Sequence, residues 1–492
     1  MISRYHPPRQ PRYPQPLSWE AVTAVYADCA DFGRRKLCPA GEGERAIRVC
    51  WLDGRVKAER LNDYIFHPIL TAHFDPEGNW QRQLEEEILW NQNPRPCGST
   101  DQAVYGLIEG ACLIFTREGV LECMVPTEDR RGVEKPENES GIKGAKDSFT
   151  ESVRVNTSLI RSRLRTPELI IRRHLVGRQT RTPVEMLWIR GLCDPAWPAR
   201  IAGRLEEIQE DALLTTAELE DYLIPTRSSP FPRLFFTQRP DRVCQGLLEG
   251  RVALLIDGVP QGCILPGELS QFLQAPQDRS DHWLAASSLT CLRYLCMVLT
   301  LLLPGLYVAM AQFHFELIPT KLALSIIASK QDVPFPTALE VLGLLLAFEV
   351  LQEAGLRLPN TIGQTVSIIG GLVVGQAAVE AKIVSPVVVI VVAAAGVSGF
   401  TMPNQDLSNA LRIWRFLLTL LSAGLGIYGL ALGSAGLIVH LAGLEDYGLA
   451  YLASFTGPGP TPEENHPVIR RPVPRVKYRP AFLNTANRRK RR

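Results

Sequence analysis

The pattern of hydrophobic and polar positions changes near residue 280 of the 492-residue chain. Before that point, short apolar stretches such as Val252–Ile256 alternate with polar segments broken by Gly and Pro, which indicates strands covered by helices. Beyond it, runs of about twenty mostly apolar residues match the thickness of a bilayer core. We therefore predict a soluble α/β head followed by a C-terminal, all-α, polytopic membrane domain.

The head contains the same sequence unit twice. The segment Asp101–Gly110 matches Asp241–Gly250, and both copies continue into a short apolar strand pair. The residues that recur 140 positions later are Asp101, Gly106, Leu107, Glu109, Gly110, Cys123 and Pro126. Chance does not place so many identities at one offset within so short a stretch. The head is therefore predicted to consist of two homologous α/β subdomains, residues 44–127 and 165–275.

The remaining boundaries follow from composition. Residues 1–43 are rich in Pro and Arg and are expected to be a flexible lead-in. Residues 128–164 are charged and punctuated by Gly and Pro, and they are assigned to a linker and the start of an Arg-rich helix. The transmembrane domain is placed at residues 283–444, and residues 457–492 are expected to form a basic cytoplasmic tail.

Several segments of the C-terminal part are candidates for membrane spans. The clear candidates are Leu292–Ala311, Thr361–Glu380 and Ile383–Met402. Leu411–Leu444 is longer than one crossing needs, so it is either two short spans or one tilted helix with Gly kinks. Within it, the segment from Gly429 to Gly433 has the small-xxx-small pattern of closely packed helices.

The segment Thr337–Ala354 is predicted to be helical but carries Glu340, Glu349 and Glu353. We favour an interfacial or re-entrant helix over a span whose acidic side chains face the protein interior. Head and tail are both expected on the cytoplasmic side, which requires an even number of crossings. The sequence predicts between four and six.

The charge distribution and the absence of known motifs limit the possible functions. The net charge is only +2, but Arg470–Arg492 contains ten Lys and Arg and no acid, which predicts a cytoplasmic tail that contacts anionic lipid. No nucleic-acid-binding motif accompanies this run, so no nucleic-acid partner is expected. The eleven cysteines show no CxxC pair and no zinc-like spacing, which predicts reduced thiols and no metal site. Enzyme signatures are absent, so neither catalysis nor a cofactor is expected.

The span Thr361–Glu380 carries polar residues that a lipid-facing helix has no reason to hold. On a helical wheel one face combines the residues Gln364, Ser367, Gly371, Gly375 and Ala378. This face is either a close helix-packing seam or the lining of a pore, where small residues leave room and polar groups replace ion hydration. The pore-lining alternative is the functional hypothesis.

Other polar residues of the membrane domain are candidates for subunit or gating contacts. Thr365, Gln376 and Glu380 lie on a different face of the same span, and Glu349 lies on the preceding helix. Arg412 and Arg415 flank the last hydrophobic stretch and are expected to extend toward lipid headgroups.

Several long motifs together resemble the A subunits of GerA-type spore germinant receptors. These motifs are Asp147–Leu164, Ser229–Val243, Gly246–Gly258, Ile318–Ser329, Ile362–Glu380 and Arg479–Asn484. The resemblance covers about residues 45–490. The same family includes SpoVAF-like proteins, which have a similar length and plan, so the subfamily stays open.

The resemblance implies a protein of the spore inner membrane with its head and tail on the cytoplasmic (spore core) side. Such A subunits are understood to work with a transporter-like B subunit and a lipoprotein C subunit. They are thought to self-associate, as a pentamer, into a ligand-gated cation channel whose pore the span Thr361–Glu380 would line. The alternatives are a non-conducting, SpoVAF-like scaffold of a germination complex and a transporter of a small solute.

Overall fold

The computed structural model describes residues 12–39, 46–75, 77–89, 92–127, 144–224, 228–357, 375–457, 461 and 463–490. The chain forms two units. The head unit comprises Met1–Pro225, Leu234–Pro266 and Lys477–Arg492, and the helical unit comprises Thr226–Arg233 and Gly267–Val476. The chain therefore passes between the two units at four points.

The head unit contains two five-stranded antiparallel sheets with the same strand order. The first sheet has the order β1-β2-β4-β5-β3 and the second β6-β7-β9-β10-β8. The strands of the first are β1 (Phe32–Leu37), β2 (Ile47–Leu52), β3 (Arg95–Cys97), β4 (Ala111–Phe115) and β5 (Val120–Met124). Those of the second are β6 (Leu169–Val176), β7 (Thr182–Ile189), β8 (Phe235–Thr237), β9 (Val252–Ile256) and β10 (Gly262–Leu265). This shared order confirms the prediction of two homologous subdomains.

Helices cover the sheets of the head unit. Those of the first half are α1 (Trp19–Val25), α2 (Ala58–Leu61), α3 (His67–Thr71), α4 (Trp80–Gln83) and α5 (Thr100–Glu109), with π-helical turns at Asn62–Phe66 and Leu84–Ile88. Those of the second half are α6 (Val153–Arg163), α7 (Ala196–Glu206), α8 (Thr216–Leu223) and α9 (Pro240–Glu249). On β4, Leu113 packs in a core with α5, whereas its neighbour Ile114 packs in a separate core with α2–α4. Both faces of the first sheet are therefore buried.

The repeated glycines end the equivalent helices α5 and α9. Gly110 and Gly250 adopt left-handed φ angles of 99° and 97°. A Cβ atom on Gly110 would lie 2.8 Å from the Arg55 carbonyl oxygen, and one on Gly250 would lie 3.0 Å from the Leu192 carbonyl oxygen. Only glycine meets both the backbone conformation and the close approach, which explains why it recurs at the same offset.

One expectation about the ends of the chain needs correction, and the structure adds detail to another. The lead-in predicted at residues 1–43 is not flexible throughout, because it contains helix α1 and strand β1, and β1 pairs with β2 from Phe32 to Leu37. Part of the basic tail belongs to the head unit, where Arg479 donates hydrogen bonds to the carbonyl oxygens of Leu248 (2.7 Å) and Asn487 (2.9 Å). Composition identified the charge of these segments but not the contacts that order them.

Helix α6, the predicted Arg-rich helix, joins the two subdomains. Arg161 has no exposed side-chain surface and donates to both carboxylate oxygens of Asp31, which precedes β1, at 2.7 and 3.0 Å. Thr157 on the same helix donates to Glu185 on β7, and Ser158 donates to the Gly54 carbonyl oxygen after β2. The helix thus holds both halves of the head unit through hydrogen-bonded side chains.

The helical unit consists of α10 (Leu269–Phe272), α11 (Trp283–Gln312), α12 (Thr320–Lys330), α13 (Thr337–Arg357), α14 (Pro386–Gly399), α15 (Gln405–Ala442) and α16 (Ala453–Thr456), with a small strand pair, β11 (Glu445–Asp446) and β12 (Leu449–Ala450). Among the described residues, α11 and α15 are long and apolar enough to cross a membrane, and α14 is a shorter apolar helix.

Helix α15 is a hairpin rather than one long rod. Gly426 has non-helical angles (φ 61°, ψ −140°). The Trp414 and His440 rings lie 5.6 Å apart, whereas a straight helix would separate residues 26 positions apart by about 39 Å. The chain therefore reverses at Gly426, and residues 405–425 and 427–442 form two antiparallel arms. The sequence left open either two short spans or one tilted helix with Gly kinks in this segment. The structure has two short helices.

The two arms of α15 approach closely at the predicted small-xxx-small element. A Cβ atom on Gly429 would lie 2.1 Å from the Leu421 carbonyl oxygen, and one on Gly433 would lie 2.7 Å from Leu418 Cδ2. These glycines are required because any side chain would separate the arms. The structural role predicted for this element is confirmed.

Candidate functional site

Only part of the predicted pore-lining face falls within the described residues. Gln364, Ser367 and Gly371, together with Thr365 on the other face, lie outside them. Residues 375–380 are helical, with Gly375 buried, Ala378 partly exposed, and Gln376 and Glu380 exposed. The pore-lining hypothesis therefore stays a prediction for all of these residues.

Gly375 faces a neighbouring helix of the same chain. A Cβ atom at this position would lie 3.4 Å from Val389 Cγ1 on α14. The helical turn ends a few residues later, where the Ala378 carbonyl oxygen accepts from the Ile383 N–H at 2.9 Å. A larger residue at 375 would thus press on α14, which makes this position sensitive to helix packing inside one chain.

Contacts between pairs of residues give the directions of the helices in the helical unit. On α11 and α14, Thr300 donates to the Ala395 carbonyl oxygen (3.2 Å), and the Tyr307 hydroxyl lies beside Ser385, so these helices are antiparallel. The Phe348 ring on α13 lies edge-on to Phe400, just after α14, while Glu340 accepts from the Ser385 N–H, so α13 and α14 are parallel.

The first arm of α15 runs parallel to α11. A Cβ atom on Gly305 would lie 2.8 Å from the Ser422 hydroxyl oxygen, and Phe313 lies next to Gly426. We call the end of the helical unit that holds Phe313 and Gly426 the tip, and the end that holds Trp414 and His440 the base.

Glu349 lies between two arginines of the first arm of α15. Its carboxylate accepts a hydrogen bond from Arg415 and pairs with Arg412 at 3.4 Å. Arg415 is 2% exposed, whereas Glu349 and Arg412 are 19% and 21% exposed. The expectation that Arg415 extends toward headgroups is wrong, because its guanidinium is buried against a carboxylate 66 positions earlier in the chain.

A second charged pair joins α13 to the end of α12. Glu340 has no exposed side-chain surface, and one of its oxygens lies 3.1 Å from Lys330 Nζ. Its other oxygen accepts the backbone N–H of Ser385, the residue that caps α14, at 2.7 Å. A carboxylate is favourable at a helix N-terminus, where backbone N–H groups lack partners.

Two of the three acidic side chains of α13 contradict the favoured sequence interpretation, whereas the third, Glu353, is exposed. Glu340 and Glu349 both face other helices of the same unit, as in the alternative of a helix whose acids point into the protein. An interfacial helix would instead have exposed them to water. The signal missed by the sequence was the basic partner of each acid, which comes from a different helix.

The segment Ser229–Arg233 contributes to the base of the helical unit, although it follows the head in sequence. The Ser229 hydroxyl lies 2.9 Å from His440 Nε2, and the Phe231 ring packs near Trp414, His440 and Tyr451. Arg233 donates to Asp446 at 3.1 Å, and both side chains are buried. This segment holds the two arms of α15 and the strand pair after them.

Burial changes the pKa of the Asp446 carboxyl group in this contact. Removal of the Asp446 carboxyl from water raises its pKa from 3.8 to about 6, and the attraction of Arg233 offsets only part of that rise. Sequence reasoning identified Ser229–Val243 as a motif but gave no role to Arg233 or Asp446.

Among the described residues, no cluster of three or more His, Cys, Asp or Glu side chains is placed to bind a metal ion.

Comparison with known proteins identifies relatives along nearly the whole chain. The family model described as "Bacillus/Clostridium GerA spore germination protein" matches residues 20–482. The membrane protein YfkQ of Bacillus subtilis is 35% identical, with 95% of this chain and 91% of the relative covered. Spore germination protein KA of B. subtilis is 34% identical, with 84% and 77% covered. Spore germination protein B1 of B. subtilis is 37% identical, with 71% and 72% covered.

A solved structure also aligns with part of the chain. It is the N-terminal domain of the A subunit of the Bacillus megaterium spore germinant receptor GerK3, with 24% identity and a TM-score of 0.38. The alignment covers 49% of this chain and 91% of that one.

Proposed function

The chain belongs to the GerA family of spore germination proteins, and we propose that it is an A-type subunit of a germinant receptor that forms an oligomeric, ligand-gated cation channel. Its location would be the spore inner membrane, with the head unit and the C-terminal tail on the cytoplasmic side. Its partners would be a transporter-like B subunit, a lipoprotein C subunit, further copies of itself, in a pentamer, and membrane lipid.

The helix directions support six membrane crossings. In chain order these would be α11, α13, the predicted span ending at Glu380, α14 and the two arms of α15. Helix α13 has 21 residues, or about 31 Å, and the arms of α15 measure about 31 and 24 Å at the same rise per residue. An even number returns the chain to the side from which it entered, which agrees with the basic tail.

The observation that carries the proposal is the placement of charged groups between helices. Glu340 with Lys330, and Glu349 with Arg412 and Arg415, are held inside the helical unit. A helix that only anchors a head in lipid gains nothing from ionisable residues, which are costly there and typical of functional sites. Ion pairs between helices can exchange partners when the helices move. Each arrangement of partners then stabilises a different conformation.

The chain connections provide a route from the head unit to the helices. Arg233, the end of the segment that holds the α15 hairpin, is followed after one residue by strand β8 of the second sheet. A change in the second subdomain would therefore act on the base of the hairpin through a connection of one residue. In this proposal the head supplies oligomer contacts and gating leverage, and Glu349, Thr365, Gln376 and Glu380 supply contacts that differ between closed and open states.

The experiment is a flux assay on membranes that hold this chain with its B and C partner subunits. We expect a germinant mixture to release monovalent cations, and Gly371→Leu to abolish that release without loss of the protein from the membrane. Gly343→Leu on α13 is the matched control, because a Cβ atom there meets no atom within 4 Å. Normal release with Gly371→Leu would contradict a pore at this face, and a non-conducting scaffold would then be the better explanation.

A further inference from the structure

The equivalent helices α5 and α9 end against different parts of the chain. In the first subdomain, Arg55 follows β2 and donates from its Nε to the Ile108 carbonyl oxygen at 2.7 Å. In the second, Arg479 of the C-terminal tail donates from its Nε to the carbonyl oxygen of Leu248, the residue equivalent to Ile108, also at 2.7 Å. The same helix-end carbonyl is therefore satisfied locally in one subdomain and by a residue 231 positions later in the other.

The second subdomain has a leucine where the first has this arginine. A Cβ atom on Gly110 would meet the Arg55 carbonyl oxygen, and one on Gly250 would meet that of Leu192, so Arg55 and Leu192 occupy equivalent backbone positions. The last carbonyl groups of a helix need donors from outside the helix, and a leucine side chain has none. Arg479 supplies the hydrogen bond that leucine cannot make.

The tail also fills the space next to Gly250. In the first subdomain, a Cβ atom on Gly110 would lie 3.0 Å from Pro126 Cα, just after β5. The matching proline, Pro266, is the last residue of the head unit before the chain continues into the helical unit. A Cβ atom on Gly250 would instead lie 2.5 Å from Thr485 Cγ2 of the tail. The tail therefore takes the place that the chain leaves when it departs from the second subdomain.

This end of the tail is held together by its own hydrogen bonds. We call residues 477–490 the tail hairpin. The Arg479 N–H donates to the Arg488 carbonyl oxygen at 2.7 Å, and the Arg479 guanidinium donates to the Asn487 carbonyl oxygen at 2.9 Å. Leu483, in the turn between these residues, has no exposed surface. The tail hairpin thus brings an ordered backbone and a buried apolar residue to the second subdomain, as a separate peptide ligand would.

A second arginine fixes the tail to the helical unit. The Arg470 guanidinium donates to the Arg279 carbonyl oxygen just before α11 (3.0 Å), and the Arg470 N–H donates to Ser287 Oγ on α11 (3.0 Å). Eight residues, 471–478, separate this anchor from Arg479, and two of them are prolines. Proline restricts the conformations of a connecting segment. The start of α11 and the end of α9 are therefore tied to each other by a short, stiff segment.

We propose that the C-terminal tail is a strap: the tail hairpin is a separable ligand of the second subdomain, and residues 471–478 transmit the position of that subdomain to the start of α11. The docking surface is the end of α9 with the adjoining backbone at Leu192. Its partner is the tail hairpin, anchored by Arg479. The transmission step rests on the proposed function, in which α11 is the first membrane crossing, whereas the docking of the tail hairpin does not.

The first test is whether the tail hairpin binds as a separate peptide. A chain that ends after Val476 would be compared with the full chain in detergent by hydrogen exchange. We expect exchange at the end of α9 to become about tenfold faster or more, and exchange in α5 to stay the same, because Arg55 still caps α5. A synthetic peptide of residues 477–492 should restore protection saturably, and the same peptide with Arg479→Leu should not.

Arg479→Leu in the full chain repeats this test without truncation. Arg475→Leu is the matched control, since it removes an exposed arginine from the strap. We expect faster exchange in α9 with the first variant and not with the second. Equal effects of both variants, or loss of protection in α5 as well as α9, would show general destabilisation and overturn the docking site. Failure of the peptide to protect α9 would show that the tail hairpin is not separable.

The second test lengthens the strap. About six Gly and Ser residues inserted between Val476 and Lys477 keep both anchors but remove the stiff connection. We expect germinant-triggered cation release to fall about fivefold or more, with protection of α9 unchanged. The same insertion after Gly457 lies before both anchors and should leave release normal. Normal release with the lengthened strap would overturn transmission. No release from the unaltered chain with its partner subunits would instead refute the proposed function and leave the docking result standing.

Discussion

Each unit of this protein buries several arginines, and two of them, Arg161 in the head unit and Arg415 in the helical unit, are paired differently. In the head unit, Arg161 has one carboxylate, that of Asp31, and both carboxylate oxygens accept from it. In the helical unit, Arg415 shares the single carboxylate of Glu349 with Arg412. The first is a bidentate pair between α6 and the chain before β1, and the second is a triad of one carboxylate and two arginines between α13 and α15.

The difference separates a contact that holds a fold together from one that can change partners. The bidentate Arg161–Asp31 pair has no exposed arginine surface, so water and outside ligands cannot compete for it and the two subdomains stay joined. In the triad one carboxylate contacts two guanidinium groups, and one of the two arginines, Arg412, is partly exposed. A helix movement can therefore redistribute its contacts at a smaller cost, which is what the proposed gating requires.

The largest expected effect comes from breaking the bidentate pair. Arg161→Leu leaves the buried Asp31 carboxylate without a partner, and we expect the free energy of unfolding of the head unit to fall by about 3–5 kcal/mol. Denaturant unfolding of the full chain, together with hydrogen exchange of Val153–Arg163, measures this loss. The double variant Arg161→Leu/Asp31→Leu should recover most of it. No recovery would mean that the helix packing, rather than the charge pair, joins the subdomains.

The next effect tests the hairpin that positions the triad. Gly429→Leu places side-chain atoms where the Leu421 carbonyl oxygen lies, so we expect a loss of about 3 kcal/mol and separation of the arms. Thermal unfolding in detergent gives the loss. Gly436→Ala is the control, since its Cβ atom meets nothing within 4 Å, and better helix propensity should leave it equal or more stable. Equal losses in both variants would contradict the close contact.

A third buried pair, Arg233 with Asp446, should make the free energy of unfolding depend on pH. The folded pKa of Asp446, about 6, lies above its ordinary value of 3.8, so the folded chain binds the extra proton in this range. The free energy of unfolding contributed by this group should therefore fall as pH rises from about 4 to about 6, by up to about 3 kcal/mol, and stay level above that.

Asp446→Asn removes this pH dependence while it keeps the shape of the side chain. Unfolding midpoints of wild type and variant between about pH 4 and pH 8 give the difference directly. A wild-type contribution that rises with pH over the same interval would show that the attraction of Arg233, not burial, controls the carboxyl group.

The smallest effect is expected for Arg412, the partly exposed arginine of the triad. Arg412→Gln removes a partly exposed charge and leaves the contact between Glu349 and Arg415 in place, so the free energy of unfolding should change by less than about 1 kcal/mol. The same denaturant measurement as for Arg161→Leu allows a direct comparison. A loss as large as that of Arg161→Leu would show that the triad is a structural centre equivalent to the pair in the head.

The sequence predicted the head unit well because its internal repeat is visible in the residues themselves. The identities at an offset of 140 residues, including Gly110 and Gly250, mark helix ends that require a left-handed residue. The strand β1 was missed because the Arg- and Lys-containing stretch Phe32–Leu37 lies at a sheet edge, where exposed positions tolerate charge.

The helical unit was predicted less completely because its decisive contacts join distant segments. Several glycines near residue 426 could each have ended a helix, and no periodicity distinguishes the one at which the chain reverses. Glu349 was identified as a candidate contact, but its partners Arg412 and Arg415 could be found only once α13 and α15 were placed side by side. The same holds for Lys330 and Glu340.

The most direct test of the channel proposal is cysteine accessibility along residues 364–378. Single cysteines at Gln364, Ser367, Gly371, Gly375 and Ala378, in a background without reactive native cysteines, would be exposed to a small hydrophilic thiol reagent. The membranes would hold the partner subunits, and monovalent cation flux would be recorded together with labelling. The account predicts labelling on this face and altered flux after labelling. Uniform protection with unchanged flux would contradict it and make this face a helix-packing seam.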